Sequence, residues 1–156
     1  MNDEYRMTNL SAGELEECSP GELAFWGIDA QPREFVVSED APLVYDLEER
    51  TAQFGERIIL FAKKIPWNPV NNRLIDQLVG AGTSVGANYC EADDGISRAD
   101  FRHRIGICRK EARETKFFLR MISTSEPQLM PEAREFWKEA HALHLIFSRI
   151  WRSTTP

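Results

Sequence analysis

The stretch QLVGAGTSVGANYCE, residues 77–91, decides the fold of this chain. Leu78, Ala81 and Val85 recur in it at spacings of three and four, the period of a helix that buries one face. The three glycines of this stretch each cost a helix interior about 1 kcal/mol relative to alanine. Close approach of another backbone or side chain is the compensation we expect. The alternative is a loop at residues 80–86.

The helix around this stretch is predicted to span residues 69–91. Asn68 is its N-cap, and Pro69 takes the first helical position, where a missing N–H costs nothing. The apolar stripe of the helix is Val70, Leu74, Leu78, Ala81, Val85 and Asn88. Asn88 and Glu91 continue the buried register, so we expect both to hydrogen-bond across a helix interface.

Three further helices show the same periodicity. The helix predicted at residues 46–65 begins with a capping box of Asp46 and Glu49 and ends at Pro66. Its stripe is Leu47, Thr51, Phe54, Ile58, Phe61 and Ile65. The helix at residues 97–123 begins with Ser97 and Asp100, and its stripe is Phe101, Ile105, Cys108, Ala112, Thr115, Leu119 and Ile122. The helix at residues 131–152 has the stripe Phe136, Ala140, Leu143, Phe147 and Ile150.

Four helices of comparable length with short loops favour an all-α fold, an antiparallel up-down-up-down four-helix bundle over residues 43–152. Residues 153–156 form a tail. Residues 1–42 are predicted to be an acidic, mostly irregular N-terminal extension, a docking arm that makes contact through Leu23, Phe25 and Trp26. Two helix-start signals, at Ser11 and Ser19, lie within it.

The net charge of -6 conceals an uneven distribution. Residues 1–42 contain two basic and ten acidic residues, whereas residues 43–156 contain seventeen basic and fifteen acidic residues. An acidic extension on a mildly basic body indicates electrostatic contacts. The sequence has no secretory signal, no apolar run long enough for a membrane span and no metal-ligand spacing among its cysteines. We therefore expect a cytoplasmic protein without a cofactor or membrane association.

The run from Gln77 to Met121 resembles the signature of the bacterial four-helix bundle proteins called 23S rRNA intervening-sequence proteins. The resemblance is carried by Gly80, Ser84, Val85, Gly86, Ala87, Asn88, Tyr89, Cys90, Glu91 and Phe101. That family is similar to the accessory variability proteins of diversity-generating retroelements, which form pentameric rings and bind nucleic acid and a reverse transcriptase. The resemblance implies a homo-oligomer, a pentamer, and no assigned activity. The acidic extension and the negative net charge depart from the basic retroelement proteins.

A row of basic residues accompanies the apolar stripe of the 97–123 helix. At 100° per residue these residues fall within an arc of about 60°. The row consists of Arg98, Arg102, Arg109, Arg113, Lys116 and Arg120. Such a row would hold an RNA or DNA backbone through salt-sensitive phosphate contacts. The alternatives are local ion pairs, such as Arg109 with Glu91 or Asp94, a charge seam between subunits, or the acidic extension lying across the row.

Neither a metal site nor a catalytic site is predicted. A ferritin-like di-metal site needs Glu-x-x-His pairs on two helices, and the sequence has none. His141 and His144 lie one turn apart without an obvious carboxylate partner, and Glu91, Asp93 and Asp94 fit either a cation site or a helix end in water. The sequence lacks a nucleophile with a base at useful spacing and a phosphate-binding glycine loop, which favours a non-enzyme.

Aromatic residues away from the stripes favour assembly. Phe117 points about 160° away from Phe101, and Trp137 and Trp151 flank the stripe of the last helix. Another subunit or the N-terminal extension is expected to cover them. We therefore predict an oligomeric scaffold or adaptor that binds a protein partner. The second hypothesis is a nucleic-acid-binding accessory factor that uses the basic row and has a reverse transcriptase as a partner.

Overall fold

The computed structural model describes residues 18–29 and 46–154. The chain divides into two units, Met1–Tyr45 and Asp46–Pro156, and each is described by itself. The described residues form five α-helices, one short 3-10 helix and no strand, so the fold is all-helical as predicted. None of these helices combines the length and the apolar character that a membrane crossing requires.

Among the described residues of the first unit, Pro20–Trp26 forms a short helix, α1. The Ser19 hydroxyl oxygen accepts a hydrogen bond from the Glu22 N–H at 3.1 Å, and Gly27 ends the helix with a positive φ of 62°. The helix start predicted at Ser19 is therefore confirmed. The start predicted at Ser11 and the remainder of the extension lie outside the described residues.

The second unit consists of four long helices. They are α2 at Leu47–Ala62, α3 at Pro69–Asp93, α4 at Arg98–Ser125 and α5 at Met130–Ser153, with the 3-10 helix Pro127–Leu129 before α5. The glycine-rich stretch is helical throughout, so the alternative of a loop there is wrong.

The predicted N-caps of α2, α3 and α4 are confirmed. Asp46 accepts a hydrogen bond from the Glu49 N–H at 3.0 Å, and Ser97 accepts one from the Asp100 N–H at 3.1 Å. The Asn68 side-chain oxygen accepts from two backbone amides at the start of α3. These caps satisfy N–H groups that have no partner inside the helix.

The end of α2 differs from the prediction. The helix ends at Ala62 instead of continuing to Pro66, because residues 63–65 form a turn. In this turn the Lys64 N–H donates to the Phe61 carbonyl oxygen, and the Ile65 N–H donates to the Ala62 carbonyl oxygen. Ile65 remains buried, as its place in the stripe predicted.

Each long helix packs against the next one along the chain. Helices α2 and α5 also meet, because Arg50 makes two hydrogen bonds to the Glu139 carboxylate at 2.7 and 3.0 Å. Near the other end of α2, Phe61 and Phe136 lie with their ring centres 5.1 Å apart. The apolar stripes of all four helices therefore face one shared core.

The stripe of α3 begins with a polar residue that the periodicity did not predict. Val70 is 63% exposed, whereas Asn71 is fully buried. The Asn71 amide nitrogen donates to the Pro66 carbonyl oxygen at 2.8 Å and to Glu126 at 2.7 Å, and its oxygen accepts from the Ser125 hydroxyl at 2.6 Å. These partners explain why the polar side chain points inwards and the valine outwards.

Glycines of α3 permit close contact with α2 at two positions. A Cβ atom on Gly82 would lie 2.9 Å from the Cγ2 atom of Ile58, and one on Gly86 would lie 3.3 Å from the backbone of Thr51. Gly80 is different, because a Cβ atom there would meet nothing within 4 Å. Ala87 is also exposed. The predicted packing role is therefore correct for Gly86 and wrong for Gly80 and Ala87.

A pair of glycine substitutions tests this contact. Gly82→Ala is expected to lower the free energy of unfolding by about 1 kcal/mol, because overpacking against the immobile Ile58 exceeds the gain in helix propensity. Gly80→Ala gains the same helix propensity without a clash. It is expected to raise the free energy of unfolding by about 0.5–1 kcal/mol. Urea denaturation followed by circular dichroism measures both. Equal effects of the two substitutions would show that α2 does not approach α3 closely.

The Asn71 network predicts a pH dependence. Hydrogen bonds from Asn71 and Gln128 hold the pKa of Glu126 below its ordinary value. A carboxyl with a lowered pKa stabilises the fold above its unfolded pKa, and this contribution is lost as the pH falls through the folded pKa. We expect Asn71→Ala to be destabilising at neutral pH, and less so at about pH 3. Asn72→Ala, at an exposed position in the same turn, is the matched control and should have little effect at either pH.

Candidate nucleic-acid interface

The six residues of the predicted basic row lie in different environments. Arg98 and Arg113 are exposed, whereas Lys116 is buried with 7% of its surface exposed. The remaining three, which are partly buried, are Arg102, Arg109 and Arg120. The row is therefore interrupted at Lys116, and only its first two thirds, Arg98 to Arg113, forms a surface that a large anionic ligand can reach.

Lys116 lies among side chains of α5. Its ammonium nitrogen is 3.1 Å from the Nδ1 atom of His141 and 5.0 Å from the centre of the Trp137 ring. The Trp137 and His141 rings are stacked, with centres 5.4 Å apart. Because an ammonium group can only donate, His141 Nδ1 is the acceptor. Lys116 therefore packs helices together and is not available to a phosphate, which corrects its assignment to the interface.

Two arginines of the row contact one tryptophan. The guanidinium carbons of Arg102 and Arg109 lie 3.9 and 4.5 Å from the centre of the Trp151 ring. The ring lies over Gly106, where a Cβ atom would be 3.3 Å from the indole Nε1 atom. The glycine thus allows the end of α5 to place an aromatic ring between two cations of α4. The hydrogen-bonding potential of the Arg102 Nε atom, which is buried, is not satisfied by any described residue.

A second contact of α5 fixes the same part of α4. The Nδ1 atom of His144 lies 3.1 Å from the carbonyl oxygen of Arg109. Since a carbonyl oxygen can only accept, this nitrogen carries the proton and donates. The imidazole therefore holds the backbone that presents Arg109 to the Trp151 ring.

Two open hollows follow one another along the outside of α4. The first is lined by Ala99, Arg102, His103, Gly106, Ile107, Lys110 and Trp151. The second is lined by Gln77, Lys110, Arg113, Glu114, Phe117 and Phe118. Lys110 belongs to both, so the hollows adjoin at this side chain, and together we call them the α4 track. It combines cationic and aromatic side chains, the combination that holds nucleic-acid backbones and bases.

Ion pairs neutralise few of the cations near the track. Arg104 pairs with Glu91 and also contacts the Asn88 oxygen at 3.5 Å. Glu91 and Asn88 thus do bond across the α3–α4 interface as predicted, but Arg104, not Arg109, is their partner. Lys110 lies 3.4 Å from Glu111 and from Glu114, and these two carboxylates raise its pKa.

The other cations of the row near the track have no acidic partner among the residues that the structure describes. They are Arg98, Arg102, Arg109 and Arg113. An unneutralised cation at a surface attracts polyanions more strongly than one that is paired with a carboxylate. The alternative of local ion pairs is therefore unsupported for these four residues.

Sequence reasoning missed several residues of this surface. His103, Gly106 and Lys110 line the first hollow although they lie outside the arc of the row. Arg149 and Arg152 add positive charge to the end of α5 that carries Trp151. A signal for them was present, because residues 140–154 contain no Asp or Glu and residues 98–110 contain five basic residues and one acidic residue.

The residues weighed for metal binding are engaged elsewhere. His141 and His144 contact Lys116 and the α4 backbone, and Glu91 pairs with Arg104. Within the described ranges no three His, Cys, Asp or Glu side chains are grouped as metal ligands. Burial raises the pKa of the Cys108 thiol to about 12, so this group remains protonated near neutral pH.

The aromatic residues expected to mediate contacts are not equally accessible. Phe117 is 55% exposed and lies edge-on to Phe118, with ring centres 5.3 Å apart. Trp137 is fully buried within the chain, so it is not accessible to another subunit. The other residues expected to make such contacts are Leu23 and Trp26, which are buried, and Phe25 and Trp151, which are partly exposed.

Comparisons with known proteins agree with the resemblance seen in the signature residues. The model of the family described as 23S rRNA-intervening sequence protein matches residues 45–149. A crystal structure of a protein of unknown function from the S23 ribosomal protein family of Bacteroides thetaiotaomicron is similar, with a TM-score of 0.60 and 26% sequence identity. The similarity covers 68% of this chain and 98% of that chain. None of the curated proteins compared matches. Because the family match extends over most of the sequence, including α2, α3, α4 and most of α5, this chain belongs to the 23S rRNA-intervening sequence protein family.

Proposed function

We propose that this chain is a non-enzymatic nucleic-acid-binding protein that holds an RNA or DNA backbone along the α4 track. The observation that carries the proposal is the group of unpaired arginines around Trp151, which have no acidic partner among the described residues. Phosphate contacts by such side chains release counterions and supply sequence-independent affinity. The acid-free second half of α5 adjoins this surface and adds to its positive potential.

The helix arrangement that we propose presents the track on an outer face. Residues 43–152 form an antiparallel up-down-up-down four-helix bundle, preceded by the extension of residues 1–42. Two contacts support this direction of packing: Asn71 at the start of α3 bonds to Ser125 at the end of α4, and Glu91 near the end of α3 pairs with Arg104 near the start of α4. We place the protein in the cytoplasm. The partnership with a reverse transcriptase remains a prediction.

Salt-dependent RNA binding tests the proposal. The full chain is expected to bind a short fluorescent RNA in an anisotropy titration, with affinity falling steeply between about 50 and 200 mM salt. The double substitution Arg98→Ala and Arg113→Ala should weaken binding and lower the slope of log K against log salt by about 1.5, because two phosphate contacts are lost. Both side chains are exposed, so the fold should be retained.

The control is the pair Lys63→Ala and Arg73→Ala, which removes two exposed charges at a different place on the same helical unit. It should leave the slope unchanged. No binding by the parent chain at low salt, or equal losses for the two double variants, would rule out the track as the nucleic-acid site.

The second candidate is the oligomeric scaffold or adaptor that binds a protein partner. Exposed Phe117 favours it, because a large aromatic side chain on the outside of a helix is typical of a contact with another chain. The residues around it, Gln77, Arg113 and Glu114, are the polar rim that such contacts usually have. A homo-oligomer, a pentamer according to the family resemblance, is the simplest assembly that would cover this ring.

Multi-angle light scattering tests the assembly. The parent chain should be an oligomer at micromolar concentration, and Phe117→Ser should shift it towards the monomer because an interface aromatic is lost. Val70→Ser is the matched control, since Val70 is 63% exposed and lies outside the second hollow. A monomeric parent chain would exclude the homo-oligomer, and equal shifts for both substitutions would show that Phe117 has no special role.

A further inference from the structure

The first hollow of the α4 track has a composition that backbone binding alone does not require. Three of its lining residues, Ala99, Gly106 and Ile107, are small or apolar, and they lie beside Trp151. A phosphate-binding surface needs only cations and hydrogen-bond donors. An apolar recess next to an aromatic ring is instead suited to a flat, weakly polar group.

Two cations and a histidine are placed around this recess. Arg102, His103 and Lys110 share it with Trp151, and Arg102 lies against the indole ring at 3.9 Å from its centre. A guanidinium plane that is already held against an aromatic ring is also a surface on which a nucleobase can stack. The arginine therefore loses little conformational freedom when such a ligand binds.

The recess continues into a path for a flexible chain. From Arg102 to Arg113, α4 rises about 16 Å, and Lys110 connects the first hollow to the second along this length. A base in the first hollow would leave its flanking phosphates beside exposed Arg98 on one side and Lys110 and Arg113 on the other.

We infer that the Trp151 hollow receives an unpaired nucleobase, so that the protein prefers single-stranded nucleic acid to a duplex. This inference rests on the proposed nucleic-acid function and specifies the ligand of that function as single-stranded nucleic acid. In a duplex the bases are stacked and paired, so they cannot enter a recess on a helix surface without being unstacked, and duplex binding would use phosphate contacts alone. The preference therefore depends on the recess, whereas binding to either form depends on the arginines.

Two substitutions test the recess in the full chain. Trp151→Leu removes the ring, and Ala99→Leu partly fills the hollow from an exposed position without changing the charge. The probes are a fluorescent single-stranded RNA and the duplex of the same length and sequence. Each substitution is expected to weaken single-strand binding by about tenfold, the value of one stacked base, and to weaken duplex binding by a clearly smaller factor.

Ala87→Leu is the matched control for Ala99→Leu, because Ala87 is exposed on α3 and lies outside both hollows. Ala99 is exposed, so Ala99→Leu alters no core contact. It therefore tests the recess even if Trp151→Leu does not fold. Circular dichroism confirms that each variant is folded.

The outcomes separate the two proposals. If the parent chain binds both RNAs and Ala99→Leu weakens both equally, or neither, then the recess does not hold a base, and the nucleic-acid function still stands. If the parent chain prefers the duplex, the inference of a base in the recess is likewise wrong, and the nucleic-acid function still stands. If the parent chain binds neither RNA at low salt, the proposed function itself fails.

Discussion

The contact between Ile58 of α2 and the backbone of Gly82 of α3 sets the distance on which the helical unit depends. Ile58 is fully buried, and its branched Cβ strongly restricts the rotamers by which it could withdraw from the glycine. One turn further on, Gly86 meets the backbone of Thr51 in the same manner. Since α4 packs on α3, and α5 on α4, the position of every later helix follows from this close approach. Gly82 and Gly86 therefore affect the candidate site through helix spacing, whereas Gly106 contacts Trp151 directly.

The basic row of α4 shows how one sequence pattern acquires two roles from its neighbours. Near the end of α4, Trp137 and His141 of α5 surround Lys116, and the aliphatic part of a lysine can be buried at little cost when its ammonium group has partners. Near the start of α4, α5 presents Trp151 and no acidic side chain. The cations there remain partly or fully exposed. The division between buried and accessible cations thus arises from α5, although all the charges lie on α4.

Helix positions, caps and most buried residues could be predicted from the sequence because they depend on local chemistry. The side-chain oxygens of Asp46, Asn68 and Ser97 cap whichever helix follows them. The burial of Asn71 in place of Val70 could not be predicted. It depends on a carbonyl group and a carboxylate that only folding brings together. For the candidate site, periodicity gave the arc of the arginines but not the ring that contacts them. The juxtaposition of Trp151 and Gly106, 45 residues apart in the sequence, requires α4 and α5 to be side by side.

The contact of two arginines with Trp151 contributes too little to the stability of the fold to account for this arrangement. A cation over an aromatic ring at a partly exposed site contributes about 0.5–1 kcal/mol. The Nε hydrogen of Arg102 is buried and has no hydrogen-bond partner among the described residues, so its burial is a cost that offsets this gain. The arrangement of Arg102 therefore stabilises the folded chain little, if at all, and an apolar side chain at this position would pack against the ring without the cost. A ligand would change this balance, because binding to a guanidinium group that is already held in place avoids the entropy cost of ordering that side chain. A pre-arranged arginine beside an open recess therefore fits the binding role that we propose.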